Sequence, residues 1–223
     1  FKAHHTAKFY EVAIKHYQQK GKKEKIDALL KEALNVYGYK LADYKFGDDN
    51  REVHVDDKLK LIIPNISSIK GIGDNVGTVL YDIGKVPYKS FYEVLEACYS
   101  YGINTTIVEQ LIEIDYFDQY GEIYKLLQMK WYYELFKRGT AKSIGKNKVK
   151  KYNLPVDIIR KYSKETDKMY SKLDSVSILN ELKNTIQNKS VSKLTKLRYE
   201  YLVMGICRTV IPEQNKRDYL VLN

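Results

Sequence analysis

Apolar positions recur at helical spacing along most of this chain. Tyr10, Ala13, Ile14 and Tyr17 mark one face of a first helix. Ile26, Leu29, Leu30, Ala33, Leu34 and Tyr37 form a longer stripe, and the polar run KGKKEK at residues 20–25 separates the two. The period lapses from Gly47 to Asp57, after which Leu59, Leu61 and Ile63 alternate as a short strand closed by Pro64. Val76, Val79, Leu80 and Ile83 line a helix that stops at Gly84. Ser90 is placed to cap the next, which turns Phe91, Val94, Leu95 and Cys98 inward and ends at Gly102. Asn104 caps another, striped by Ile107, Leu111 and Ile114. Glu122 to Lys137 predicts a longer helix carrying Leu127, Trp131 and Leu135. The stretch RGTAKSIGKNKVKKYNLP, residues 138–155, has no apolar period and predicts a basic loop or linker. Helices are expected over Val156–Lys172 and Ser175–Gln187. From Tyr201 onward, β-branched and aromatic runs flank a turn containing Pro212 and Asn215, which predicts two strands. Such a hairpin is marginal alone, so the native protein is expected to continue past Asn223. The expected fold is mainly α, with a short β segment at the C-terminus.

Charge sharpens this outline. The formal net charge is +10, but residues 1–137 carry 19 basic and 20 acidic side chains, whereas residues 138–200 carry 16 and 6. The excess thus lies in one segment of the last third. A polyanion is its natural partner, because each neutralised phosphate releases condensed counterions; a solvated lysine-rich face is the plain alternative. No apolar run is long enough to span a bilayer, and the sequence opens at Phe1 with neither an initiator methionine nor a signal peptide, so an internal piece of a larger cytoplasmic protein is expected. Cys98 and Cys207 lack CxxC spacing and are expected to be buried, reduced thiols.

The chemistry concentrates in ISSIKGIGDNVG, residues 66–77. No segment matches a GxxxxGK[ST] phosphate loop. Gly71, Gly73 and Gly77 give GxGxxxG, one residue too long for a dinucleotide fingerprint, and the preceding strand ends too early. The spacing fits a turn between two short helices instead. Gly71 and Gly73 let the backbone approach another surface, Ile72 wedges inward, and Gly77 takes the small position where the second helix packs on the first. The amides after Gly73 would then face outward at a helix N-terminus, as in a helix-hairpin-helix that meets the DNA backbone without reading bases. The candidate backbone-binding residues are Lys70, Gly71, Ile72, Gly73 and Asn75, with Lys142, Lys146, Lys148, Lys150 and Lys151 adding charge. Asp74 opposes this grip, and a ligand-free helix turn is the competing reading. Asp48-Asp49 and Asp56-Asp57 read as solvated turn carboxylates rather than a two-metal site, and His4 and His5 have no ligand-spaced partner. No catalytic residue, metal ligand or cofactor site is expected.

The flanking segments add a family resemblance. FKAHHTAKFYEVAIKHY (1–17) resembles LKAHYPAEFYAALL at the end of the fingers domain of the C-family replicative DNA polymerases, the bacterial DNA polymerase III alpha subunits. Lys25–Val36 is similar to the helix that follows there. ISSIKGIG matches the family's LSAIKGVG, Tyr88–Leu95 resembles PFxSFxDFL, and Ile103–Asp118 resembles INKRVLExLIxAGAFD. The tail from Tyr201 is similar to the opening strands of the family's OB-fold. Two departures stand out. Ile114-Asp115-Tyr116 replaces Ala-Gly-Ala, and Thr105-Thr106 replaces Lys-Arg, which leaves a second, degenerate hairpin suited to packing more than to DNA. The resemblance implies fingers-end residues 1–64, a helix-hairpin-helix domain over 65–121, a basic helical linker over 122–197 and an OB-fold start over 198–223. It also implies that the palm aspartates, Mg2+ and dNTPs belong to a parent polymerase, leaving this fragment inactive alone. The implied partners are double-stranded DNA, a sliding clamp and other replisome proteins, with no membrane. Tyr132–Phe136 is the nearest thing to the family's clamp-binding peptide but lacks its glutamine, and Trp131, Leu135 and Phe136 fit a helix core better. Rival readings are a free helix-hairpin-helix repair or recombination module and a tyrosine-rich docking scaffold.

Overall fold

The structure, a computed structural model, describes residues 2, 4–136, 141–205 and 207–209. The fold is mainly helical, with ten α-helices and two small three-stranded sheets among the described residues. No helix among them is long and apolar enough to cross a membrane. The chain divides into two compact units, one of Phe1–Pro87, Cys98–Asp118 and Val191–Asn223, the other of Tyr88–Ala97 and Gln119–Ser190.

In the first unit, helices α1 (Thr6–Gln19) and α2 (Lys23–Tyr37) pack together, as their stripes predict. Gly38 closes α2 at φ 70°. Tyr10, Ile14 and Ala33 join Tyr39, Val53 and Ile62 in one buried cluster. A mixed sheet supplies the last of these. Strand β1 (Lys40–Leu41) pairs in parallel, and β2 (His54–Asp56) antiparallel, with a central β3 (Leu61–Ile63). The strand before Pro64 forms as expected, but its inward residue is Ile62. Leu59 is exposed, and Leu61 and Ile63 are half-buried. Lys60, at φ 53°, turns the chain just before the strand and breaks the expected alternation.

Helix α3 (Asp74–Gly84) follows the glycine turn, and α4 (Phe91–Ser100) and α5 (Thr105–Glu113) follow in turn. Leu111 and Ile114 are fully buried and Ile107 nearly so, as their stripe predicts. The unit closes with α10 (Lys193–Met204), which corrects the expected OB-fold opening: Tyr201–Met204 is helical. Ser192 caps this helix by accepting from the Thr195 amide at 3.1 Å, and Gly205 ends it at φ 72°. Val203 and Glu200, three residues apart, both turn inward, and α10 packs on α5. The Glu200 carboxylate accepts from the amides of Arg208 and Thr209 at 2.7 and 2.8 Å. Packing along one helical face overrides the β-forming composition here. The second expected strand lies outside the described residues.

The second unit holds most of α4, then α6 (Ile123–Phe136), β4 (Ser143–Gly145), α7 (Lys146–Lys151), α8 (Val156–Lys161), β5 (Lys164–Glu165), β6 (Met169–Ser171) and α9 (Ser175–Thr185). Its sheet is antiparallel in the order β4-β6-β5. The described part of 138–155 is therefore not a linker. Ile144, Val149 and Leu154 are buried, three apolar residues five apart among lysines, which is too sparse a signal for a helical period. The single helix expected over Val156–Lys172 is likewise a helix followed by a strand pair. In α6 the buried face is Ile123, Leu126, Met129, Tyr133 and Phe136, while Leu127, Trp131 and Leu135 are half-buried. Apolar residues surround that helix, so its stripe could be placed on more than one face. Of the two cysteines, Cys98 is buried, with its thiol pushed up to about 12 by that burial, but Cys207 is exposed.

Candidate nucleic-acid interface

The glycine stretch builds a tight hairpin. Asn65 starts it, its side-chain oxygen accepting from the Ser67 amide at 2.7 Å, and Ile66–Ser68 make one 3-10 turn. The Ile72 amide donates to the Ile69 carbonyl at 3.1 Å, which closes the turn. Gly71 sits at φ 88°, a conformation costly for any side-chain-bearing residue. Ile72, 4% exposed, is the inward wedge. Gly73 is the N-cap of α3, and its carbonyl accepts from the Gly77 amide at 3.1 Å. A methyl group at Gly77 would meet Ile66 Cγ2 at 3.0 Å, so the second helix rests directly on the first turn.

Gly73 differs from its neighbours. Its φ is −90°, and a Cβ placed there meets nothing within 4 Å. Neither backbone conformation nor internal packing calls for glycine at this position. Among the described glycines only Gly145 shares that combination. No side chain caps α3, so the first amides of the helix keep their donors for an outside partner. Lys70, Gly73, Asp74 and Asn75 are all exposed around this opening, and Lys70 has no ion pair among the described residues. Asp74, in the first turn, stabilises the helix dipole but places a negative charge at the opening.

The hairpin borders a cleft of about 1210 Å³ in the first unit, lined by Lys15, Lys23, Arg51, Lys70, Gly73 and Arg208 among others. Most of its cations are already neutralised. Lys15 pairs with Glu52 at 2.7 Å, Arg208 with Asp43 at 3.0 Å, and Arg51 forks onto both oxygens of Asp49 at 2.8 and 2.7 Å. The Arg51 guanidinium holds the Asp49 carboxyl down at about 2 and stacks on the Tyr81 ring of α3 at 3.9 Å. Asp57 accepts from Lys60 and from the Tyr39 hydroxyl, and Asp56 accepts from the amides of Lys58 and Leu59. These carboxylates serve turns. Among the described residues no group of three His, Cys, Asp or Glu side chains is placed to hold a metal ion.

Supports of the hairpin escape sequence reasoning. Asn50 is 3% exposed; its side chain donates to the Lys45 and Asp48 carbonyls, and its backbone carbonyl accepts from the Ile66 amide at 2.8 Å. It thus pins the start of the hairpin to the preceding loop. Tyr44 holds Ser68 through its hydroxyl at 2.9 Å. Arg208 donates to the carbonyls of Ala42 and Ile114. None of the three lies in a motif: Tyr44 and Arg208 reach far along the chain, and Asn50 serves an irregular loop.

The remaining candidate residues belong to the second unit, whereas the hairpin belongs to the first. Lys142 is exposed just before β4; Lys146, Lys148, Lys150 and Lys151 are on α7, all exposed except the half-buried Lys146. Lys146 is spoken for, since Glu165 accepts from it at 2.6 Å and from Arg160 at 2.8 Å; Arg160 first and Lys146 second hold that carboxyl at about 2. Of the residues in a clamp-peptide position, Phe136 is fully buried. No family model and no curated protein matches this chain.

Proposed function

We propose that this chain holds double-stranded DNA without regard to sequence, gripping the phosphate backbone through the hairpin at Lys70–Asn75 as a part of a C-family replicative polymerase. The observation that carries the proposal is the unexplained glycine at position 73. A glycine that neither the fold nor its own torsion angles require leaves room for a surface from outside. The uncapped amides beside it suit an anion, and Lys70 supplies a free positive charge. The polymerase assignment rests on the similarity of the segments at 1–17, 66–73, 88–95 and 103–118 to that family. Within such a polymerase the hairpin would hold duplex outside the palm, where Mg2+ and dNTPs act. Phosphate-directed contacts of this kind position a duplex and carry no sequence information.

The test is fluorescence anisotropy of the whole chain with labelled duplexes of unrelated sequence across a salt series. Binding is expected to weaken steeply with salt and equally for all sequences. Gly73→Val has open space at its Cβ and should fold, at a cost of about 1 kcal/mol for the poorer N-cap, and should lose about 10- to 100-fold in affinity. That loss corresponds to one or two charge-assisted hydrogen bonds at about 1.5 kcal/mol or more each. Unchanged binding by a folded Gly73→Val variant refutes the hairpin as the grip.

A further inference from the structure

From the second unit we infer a separate duplex-binding module, a winged helix-turn-helix, at the place where the sequence shows only a basic run. Its elements follow in the order α6, β4, α7, α8, β5, β6, and its sheet runs β4-β6-β5. That is the order and pairing of a helix-turn-helix carrying a two-stranded wing. The turn between α7 and α8 spans Tyr152–Pro155, with Asn153 at φ 48° and Leu154 buried beneath it. Val149, Ile158, Ile159, Tyr170, Ile178 and Leu179 are buried within the unit, so the small helices have a core of their own.

One carboxylate ties the module's outer face together. Glu165 on β5 accepts from Lys146 at the start of α7 and from Arg160 on α8, and the Lys146 amide donates to the Lys168 carbonyl at the wing tip at 3.0 Å. Helix α7, helix α8 and the wing therefore meet at a single place. Residues 141–174 carry ten basic and four acidic side chains. Lys148, Lys150, Lys164 and Lys168 are exposed and have no ion pair among the described residues. A folded positive face with a short helix exposing Asp157, Arg160 and Lys161 fits the B-form major groove and its flanking phosphates. Helix α8 offers few base-reading groups, since Arg160 lies 3.8 Å from Asp157 and is held by Glu165, so shape and charge dominate over sequence. This module extends the DNA-holding function proposed above but rests on a different unit and different residues.

The test uses the whole chain and the same anisotropy series. Lys148→Gln/Lys168→Gln should lower duplex affinity about tenfold and reduce the salt slope by about 2, one phosphate per lysine. The control pair Lys183→Gln/Lys189→Gln, on α9 and beyond it, should change neither. Ile159→Asn keeps every lysine but disrupts the core, and should cost as much affinity as the first pair. An RNA duplex of the same sequence should bind more weakly, because its deep, narrow groove excludes a helix. Equal losses from the two lysine pairs, full binding by Ile159→Asn, or tighter RNA binding would each overturn the module as a duplex reader. Repeating the lysine pairs in Gly73→Val separates the two proposals. A silent Gly73→Val with a sensitive Lys148/Lys168 pair removes the hairpin grip and leaves the module standing; the reverse pattern removes the module alone.

Discussion

Two helix turns in the first unit are built to one plan and finished differently. In each, a glycine in the left-handed region precedes a buried isoleucine, which precedes an N-cap: Gly71 at φ 88°, Ile72 and Gly73 in one, Gly102 at φ 81°, Ile103 and Asn104 in the other. In each, the cap carbonyl accepts from the amide four residues on, at 3.1 Å. The difference is the cap itself. Asn104 turns its side-chain oxygen back to the Ile107 amide at 2.9 Å and so closes its own helix end. Gly73 has no side chain to turn back and leaves its helix end open. A closed end belongs to the fold. An open end leaves its first amides without a side-chain cap, and the proposed phosphate grip rests on that difference.

Exchanging the caps breaks the comparison most directly. Gly73→Asn should stabilise the chain by a few tenths of a kcal/mol while lowering duplex affinity about tenfold or more, because the new side chain occupies both the donors and the space. Asn104→Gly should cost only a few tenths of a kcal/mol and leave DNA binding unchanged. Thermal unfolding and anisotropy on the same samples read both quantities. A Gly73→Asn variant that binds DNA as the parent does would show that the open cap is incidental.

Asp74 offers the next largest effect. It favours the helix dipole yet faces the same opening as Lys70. Asp74→Asn should raise duplex affinity about 3- to 10-fold at low salt, with the gain shrinking as screening increases. It should cost the fold about 0.3–1 kcal/mol through the lost charge–dipole term. An affinity gain that salt does not diminish would mean that Asp74 acts through shape and not through charge.

Both turns were legible in the sequence because their residues are local and each type has one physical use there. Gly71, Ile72 and Gly77 are such positions, as are Gly102 and Asn104. What supports them was not legible. Arg208 acts through bonds to backbone atoms far away along the chain; Asn50 acts inside an irregular loop, its side chain donating to Lys45 and Asp48 and its backbone carbonyl accepting from Ile66, and composition gives no trace of either. The basic segment misled for a different reason. Each of its elements is short, so Ile144, Val149, Leu154 and Ile158 are spread one or two per element and no period accumulates. Only the assembled sheet makes the lysines of α7 and the wing neighbours. The α7–α8 turn nevertheless repeats the plan of the first two, with Asn153 left-handed, Leu154 buried and Pro155 at the cap.

Acid should affect the two hairpins differently, and this is the smallest effect expected. The first hairpin's α3 leans on Arg51, which stacks on Tyr81 and is itself held by Asp49. Arg51 lowers the Asp49 carboxyl from its ordinary 3.8 to about 2. A carboxylate depressed by folding contributes stability that is complete above its unfolded value and is lost as pH falls through its folded one. Asp49 thus braces α3 fully above pH 3.8, and the brace fails progressively toward pH 2. The second hairpin's turn is closed by the Asn104 amide, which does not titrate. Amide exchange followed by NMR between pH 4 and 2 should therefore show α3 losing protection relative to α5, after correction for the intrinsic exchange rates. Asp49→Asn should weaken that pH dependence, leaving only the part carried by Asp74, and leave α3 less protected throughout, since an amide cannot hold Arg51 as an ion pair. If α3 and α5 loosen together in the parent chain, the Arg51–Asp49 pair is a surface contact without leverage on the hairpin, as many exposed ion pairs are.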